Sequence, residues 1–64
     1  MPLVTIQMIE GRDVDTKRKL IANVTNAILA SVDTKIENVR IVIEDMKPEN
    51  YALGGTLHID KVNK

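Results

Sequence analysis

The sequence predicts an α/β (α+β) fold: a single βαβ unit followed by a short C-terminal hairpin. Three observations carry this prediction. An apolar, β-rich run covers residues 3–10, a segment with helical spacing covers 14–31, and a second β-rich run covers 39–46. Strands in this order, separated by a helix, pair in parallel through a right-handed crossover. A chain of 64 residues is expected to form one domain, spanning 1–64.

The first strand is expected at Leu3–Glu10, where the run LVTIQMIE is rich in apolar and β-branched residues. Asp13 is placed to cap the following helix, and Asp15 complements the helix dipole in the first turn. Helical spacing from Val14 to Ser31 then predicts an apolar stripe facing the sheet. The stripe comprises Leu20, Ile21, Val24, Ala27, Ile28 and Ser31.

The second strand is expected at Val39–Met46, the run VRIVIEDM. Ile36, in the connector before it, is predicted to plug the apolar interior. The segment KPENY reads as a loop with a turn proline, and YALGGTLHI predicts a hairpin around Gly54–Gly55.

This unit leaves apolar surface uncovered, because one helix shields one face of the sheet only. Leu3, Ile9 and Val42 are expected on the other face. A sheet of two or three strands is marginal by itself, and a chain without cysteine has no disulfide to reinforce it. The sequence therefore predicts a homo-oligomer assembled through the sheet.

Composition excludes several classes of function. Nine basic residues balance nine acidic ones, and Tyr51 is the sole aromatic residue, so nucleic acid is not an expected partner. The longest apolar run is too short for a membrane span, and the N-terminus lacks the features of a signal peptide. A cytoplasmic location is the expectation. The absence of cysteine and the single histidine argue against a Cys- or His-based metal site.

Three residues stand out chemically, each with a structural alternative. Pro2 is either a tolerated first residue of a strand or, once Met1 is removed, an amino-terminal secondary amine able to act as a base. Arg40 lies among β-branched residues, where it pairs with Glu44 or Glu10, reaches solvent, or binds a ligand. Arg12 lies where the first strand ends. His58 has no motif to orient it, which favours a surface or interface role.

The combination of MP at the start with EGR, VRIVIEDM and YALGG downstream resembles the sequences of 4-oxalocrotonate tautomerase and its superfamily. The resemblance covers essentially the whole chain. It implies a βαβ subunit assembled as a hexamer, a trimer of dimers, without a cofactor. It also implies that Pro2 is the catalytic base, that Arg12 and Arg40 are the active-site arginines, and that Tyr51 stands where the family has phenylalanine.

The activity implied by the resemblance is proton transfer between the enol and keto forms of small unsaturated 2-hydroxy or 2-keto acids. Nearby cations and an apolar wall both disfavour a charged amine, so the pKa of the Pro2 nitrogen is expected to fall towards neutrality. By resemblance, Arg12 binds the substrate carboxylate and Arg40 the carbonyl oxygen, on which charge develops. Tyr51 contributes to the apolar wall, and its hydroxyl adds a hydrogen-bond donor.

Geometry predicts a site shared between subunits. Pro2 and Arg12 lie at opposite ends of the first strand, and ten residues at ~3.3 Å each separate them by roughly 30 Å. They can meet only when one subunit places its Arg12 near another's Pro2. Two alternatives stay open: a non-catalytic oligomeric module that retains the fold, and a related proline-dependent dehalogenase or decarboxylase. The state of the N-terminus and an assay on enol acids discriminate among them.

Overall fold

The structure, a computed structural model, describes residues 2–62 and has the predicted fold. Strand β1 (Leu3–Ile9) leads into helix α1 (Val14–Ser31) and strand β2 (Arg40–Met46). A hairpin of β3 (Ala52–Leu53) and β4 (Thr56–Leu57) follows, and a short helix α2 (His58–Val62) comes last. Strands β1 and β2 pair in parallel, in a register that runs from Leu3–Arg40 to Ile9–Met46. The βαβ unit with a C-terminal hairpin is confirmed.

Three local predictions need correction. Strand β1 ends one residue before Glu10, and β2 begins one residue after Val39. Helix α2 was not anticipated, because five residues are too few to display a helical period. Ile36 does not plug the interior: it lies on a one-turn 3₁₀ helix and is 63% exposed.

Helix α1 begins where Asp13 caps it. The Asp13 backbone is extended, and its Oδ1 accepts a hydrogen bond from the Thr16 backbone N–H at 2.8 Å. Hydrogen bonding to Thr16 lowers the pKa of the Asp13 carboxyl. The bond with the Thr16 side chain has the larger effect, and the bond from its backbone N–H the smaller one. Gly11, at φ 128°, makes the turn that separates this cap from β1. Neither helix within residues 2–62 is long and apolar enough to cross a membrane.

Helix α1 lies against one face of the two-stranded sheet. The side chains of Val4, Ile6 and Met8 on β1 are half-buried, whereas Leu3 and Val42 on the opposite face are 64% and 46% exposed. The start of the helix is tied to the end of β2 by an ion pair between Lys17 Nζ and Asp45 Oδ2 at 2.7 Å. The predicted uncovered face is therefore confirmed for Leu3 and Val42, whereas Ile9, which was predicted to share it, is half-buried.

The predicted apolar stripe of α1 is confirmed in part. Leu20, Val24 and Ile28 are half-buried. Ile21 is 38% exposed, and Leu29, which the stripe omitted, takes a half-buried position. Ala27 and Ser31, also assigned to the stripe, are exposed, because a sheet of only two strands does not cover the full apolar width of the helix.

One chain does not enclose a core. None of residues 2–61 is buried, and the radius of gyration is 15.1 Å, against about 11 Å for a compact chain of this length. The accessible surface is 5025 Å², against roughly 4,100 Å² for a folded monomer of this mass. A single chain therefore leaves much of the apolar surface of β1, α1 and the hairpin exposed to solvent.

We expect light scattering at micromolar concentration to give the mass of an oligomer, several times the 7.1 kDa of one chain. Val42→Glu should lower that mass, because it would bury an unpaired carboxylate on the uncovered sheet face. Val14→Glu is the matched control: Val14 is 60% exposed in the first turn of α1, where an acidic side chain is favourable. A stable, folded wild-type monomer would contradict the packing argument.

The Asp13 cap predicts a pH-dependent contribution to stability. A carboxyl whose pKa is lowered by folding stabilises the folded state above its unfolded pKa, and this is lost as pH falls through the folded value. Asp13→Ala should therefore lower the Tm at neutral pH and have a smaller effect at a pH below the ordinary carboxyl value of about 3.9. Asp15→Ala, which removes an exposed pair with Arg18 and one acidic charge near the helix N-terminus but no cap hydrogen bond, is the control and should have the smaller pH-dependent effect. Equal losses from Asp13→Ala at both pH values would contradict the assignment.

Candidate active site

Pro2 separates two cavities at the start of β1. The larger, about 400 Å³, lies between the sheet and the second half of α1, and apolar side chains form most of its wall. It is lined by Pro2, Val4, Val24, Ala27, Ile28, Ser31 and Val32. The Ser31 hydroxyl donates to the Ala27 carbonyl at 2.8 Å, so it is already occupied. Pro2 therefore borders a nearly nonpolar space.

The second cavity is more polar. It measures about 320 Å³ and is lined by Pro2, Val32, Asp33 and Thr34, where the chain leaves α1. Pro2 is half-buried between the two spaces. Its neighbourhood offers an apolar wall on one side and a route to solvent on the other.

Arg40 approaches Pro2 through its backbone. The Arg40 N–H donates to the Pro2 carbonyl at 3.1 Å, as expected for a parallel strand that starts at this end. The Arg40 side chain shares the exposed face of its register partner Leu3, whereas Pro2 and Val4 border the helix side. Arg40 lines neither cavity. Within one chain, its guanidinium and the Pro2 ring therefore lie on opposite faces of the sheet.

Arg12 lies at the other end of β1. Its Nη1 donates to the Ile9 carbonyl at 3.2 Å, which holds the guanidinium beside the end of the strand. The strand is continuous from Leu3 to Ile9. Arg12 and Pro2 are therefore not brought together within one chain.

Neither arginine is neutralised within residues 2–62. The ion pairs there join Lys17 to Asp45 and Arg18 to Asp15. Glu44, one of the carboxylates considered for Arg40, instead accepts a hydrogen bond from Gln7 Nε2 at 3.1 Å. Both guanidinium groups are thus exposed cations available to an anionic ligand.

Tyr51 begins the C-terminal hairpin, away from both cavities. Gly54 and Gly55, at φ 61° and 84°, form its two-residue turn. The Tyr51 carbonyl accepts from the His58 N–H at 2.7 Å, and the two rings lie side by side with centroids 6.1 Å apart and planes tilted by 54°. Sequence reasoning treated His58 as isolated. The signal was present, because counting outward from the two glycines places positions 51 and 58 opposite each other.

The four predicted site residues are therefore distributed over the chain, and only the backbones of Pro2 and Arg40 meet. The chain presents a proline beside an apolar cavity, two exposed arginines and an aromatic pair at three separate places. Within the described residues, no three His, Asp or Glu side chains are grouped closely enough to hold a metal ion. Several copies are needed to bring these elements into one site.

Residues 2–61 match the family model described as tautomerase enzyme. The chain belongs to the tautomerase family. It is 38% identical over 60 residues to a probable tautomerase from Listeria innocua, which covers 94% of this chain and 98% of that protein. It is also 38% identical over 55 residues to a 2-hydroxymuconate tautomerase from Bacillus subtilis, covering 86% and 89% of the two chains.

The fold agrees with this assignment. A heterohexamer 4-oxalocrotonate tautomerase from Chloroflexus aurantiacus superposes with a TM-score of 0.89 at 30% identity. The match covers 94% of this chain and 97% of that one. The resemblance inferred from the sequence is confirmed.

Proposed function

We propose that this protein interconverts enol and keto forms of small unsaturated 2-hydroxy or 2-keto acids, without a cofactor, using Pro2 as the general base. The observation that carries the proposal is the position of Pro2: second in a tautomerase-family chain and at the junction of an apolar and a polar cavity. The substrate class is suggested by the Bacillus subtilis relative named for 2-hydroxymuconate.

Pro2 acts as a base only as an amino-terminal amine. While Met1 is attached, the proline nitrogen belongs to an amide and its lone pair is delocalised. Met1 lies outside the described residues, so its removal is part of the proposal. The apolar wall of the larger cavity disfavours the protonated amine and lowers the pKa of the Pro2 nitrogen. The amine can then be neutral, and accept a proton, near physiological pH.

The arginines supply the charge that the substrate requires. Arg12 binds a carboxylate through its bidentate fork, and Arg40 stabilises the oxygen that becomes negative as the dienolate forms. Their freedom from ion pairs within residues 2–62 supports both roles. Arg12 lies at the far end of β1 from Pro2, and the Arg40 guanidinium lies on the opposite face of the sheet from the Pro2 ring, so both must be provided by other copies.

We propose a homohexamer, a trimer of dimers, as the active assembly. The extended shape of the chain and its lack of buried residues among 2–61 support an obligate oligomer. The relative from Chloroflexus aurantiacus is described as a heterohexamer. In this assembly Tyr51 of one copy completes the wall of another copy's site.

Removal of Met1 tests the proposal directly. Protein that begins at Pro2 should turn over 2-hydroxymuconate, whereas a homogeneous preparation that keeps Met1 should fold and assemble but show little activity. Intact-mass spectrometry beside the assay establishes which form is present, and light scattering checks the assembly. Equal activity of the two forms would overturn the proline mechanism and return Pro2 to the role of a tolerated first residue.

The two arginines should respond differently to substitution. Arg40→Ala is expected to lower kcat/KM by about 10²–10³-fold, as for loss of a principal oxyanion partner. Arg12→Ala should raise KM more than it lowers kcat, because a carboxylate is held equally in the ground and transition states. Steady-state kinetics on 2-hydroxymuconate measures both. Full activity of both folded, assembled variants would show that the roles are misassigned.

A shared site predicts complementation between two inactive variants. Arg12→Ala and a Met1-retaining protein should each be poorly active alone. After unfolding together and reassembly, mixed oligomers should recover activity, because some sites combine an intact Pro2 with an intact Arg12. Each variant reassembled separately is the control. No recovery in verified mixed oligomers would mean that both residues act within one chain.

A further inference from the structure

We propose that His58 is a positioning residue that orients Tyr51 and thereby favours substrates that carry a second polar group besides the carboxylate bound by Arg12. This inference rests on the proposed function, which places Tyr51 in the substrate wall. It concerns a histidine that the mechanism does not otherwise use.

The pairing of the two rings follows from the hairpin. Register pairs Leu53 with Thr56 and Ala52 with Leu57, so Tyr51 and His58 are the next pair outward. Their backbones are joined by the His58 N–H to Tyr51 carbonyl hydrogen bond of 2.7 Å. Their rings are tilted by 54° with centroids 6.1 Å apart, within the range of attractive aromatic pairs.

Tyr51 needs such a contact to hold one orientation. The residue is 41% exposed, just after a one-turn 3₁₀ helix at Pro48–Asn50. Among residues 2–62 its hydroxyl makes no hydrogen bond. His58 is half-buried and so is the better anchored of the two rings. Packing against it restricts the Tyr51 ring and presents a free hydroxyl at a defined place.

A free, oriented hydroxyl discriminates between substrates. It can donate to a carboxylate or hydroxyl, and it contributes nothing to an apolar tail beyond what a phenylalanine ring offers. The site should therefore prefer a dienol diacid such as 2-hydroxymuconate over an aryl enol acid such as phenylenolpyruvate. His58 affects this preference only through Tyr51.

Kinetics tests the substrate preference. Tyr51→Phe should reduce the kcat/KM ratio for 2-hydroxymuconate over phenylenolpyruvate by about two- to tenfold. His58→Ala should reduce the ratio similarly, and His58→Phe should keep the wild-type ratio because it retains an aromatic ring. In a Tyr51→Phe background, His58→Ala should have no further effect on the ratio. Asp60→Ala, an exposed position in the same short helix, is the control and should leave the ratio unchanged.

Fluorescence tests the positioning without any substrate. Tyr51 is the only tyrosine, and the chain has no tryptophan, so its emission reports one ring. Time-resolved anisotropy should show faster local motion of Tyr51 in His58→Ala, and wild-type motion in His58→Phe and Asp60→Ala. Light scattering confirms that each variant remains assembled.

The outcomes separate this inference from the proposed function. Unchanged Tyr51 motion in His58→Ala overturns the positioning role, and faster motion with an unchanged substrate ratio overturns its effect on specificity. Additive effects of Tyr51→Phe and His58→Ala on the ratio would also overturn it. Absence of wild-type turnover on both acids refutes the proposed function and the specificity effect together, while the anisotropy still decides whether His58 holds the ring.

Discussion

The parallel ladder between β1 and β2 is the constraint on which the rest of the structure depends. Parallel strands cannot be joined by a tight turn, so the chain must cross over, and α1 is that crossover. The ladder's register sets the start of β2 beside Pro2 and the end of β2 beside the residues that precede Arg12. It also sends alternate side chains to a face covered by α1 and a face left open.

A two-stranded ladder with one helix cannot surround an interior. The consequences are visible in the exposed Leu3 and Val42 and in the apolar cavity beside Pro2, which a larger sheet would have filled. For a chain of 64 residues without disulfides, burial by other copies is the available source of stability. The same requirement suits the chemistry, because association that covers the sheet can also bring separate site residues together.

The distribution of charge is consistent with a site that is completed by association. Of the two carboxylates considered for Arg40, Glu44 accepts from Gln7, and Glu10 forms no ion pair with it within residues 2–62. Arg12 and Arg40 are left as exposed guanidinium groups on a chain with no net charge. An apolar cavity beside Pro2 and unpaired cations elsewhere are the elements that the proposed shared site would combine.

Sequence alone was sufficient to predict the βαβ order with its hairpin, the Asp13 cap, the alternation of the two sheet faces and the family, but not helix α2. Each of these follows from the chemistry of neighbouring residues or from apolar residues that recur every two or 3.6 positions. It also identified Pro2, Arg12, Arg40 and Tyr51 as candidates, through residue type and resemblance. Only the tertiary structure decided that Arg40 and Pro2 occupy opposite faces, that Ile36 is exposed, and that Tyr51 packs against His58. These observations depend on strand register, on how far a small sheet covers its helix, and on which residues a two-glycine turn brings opposite each other. Each depends on contacts between separate segments, so no single segment of sequence contains the information.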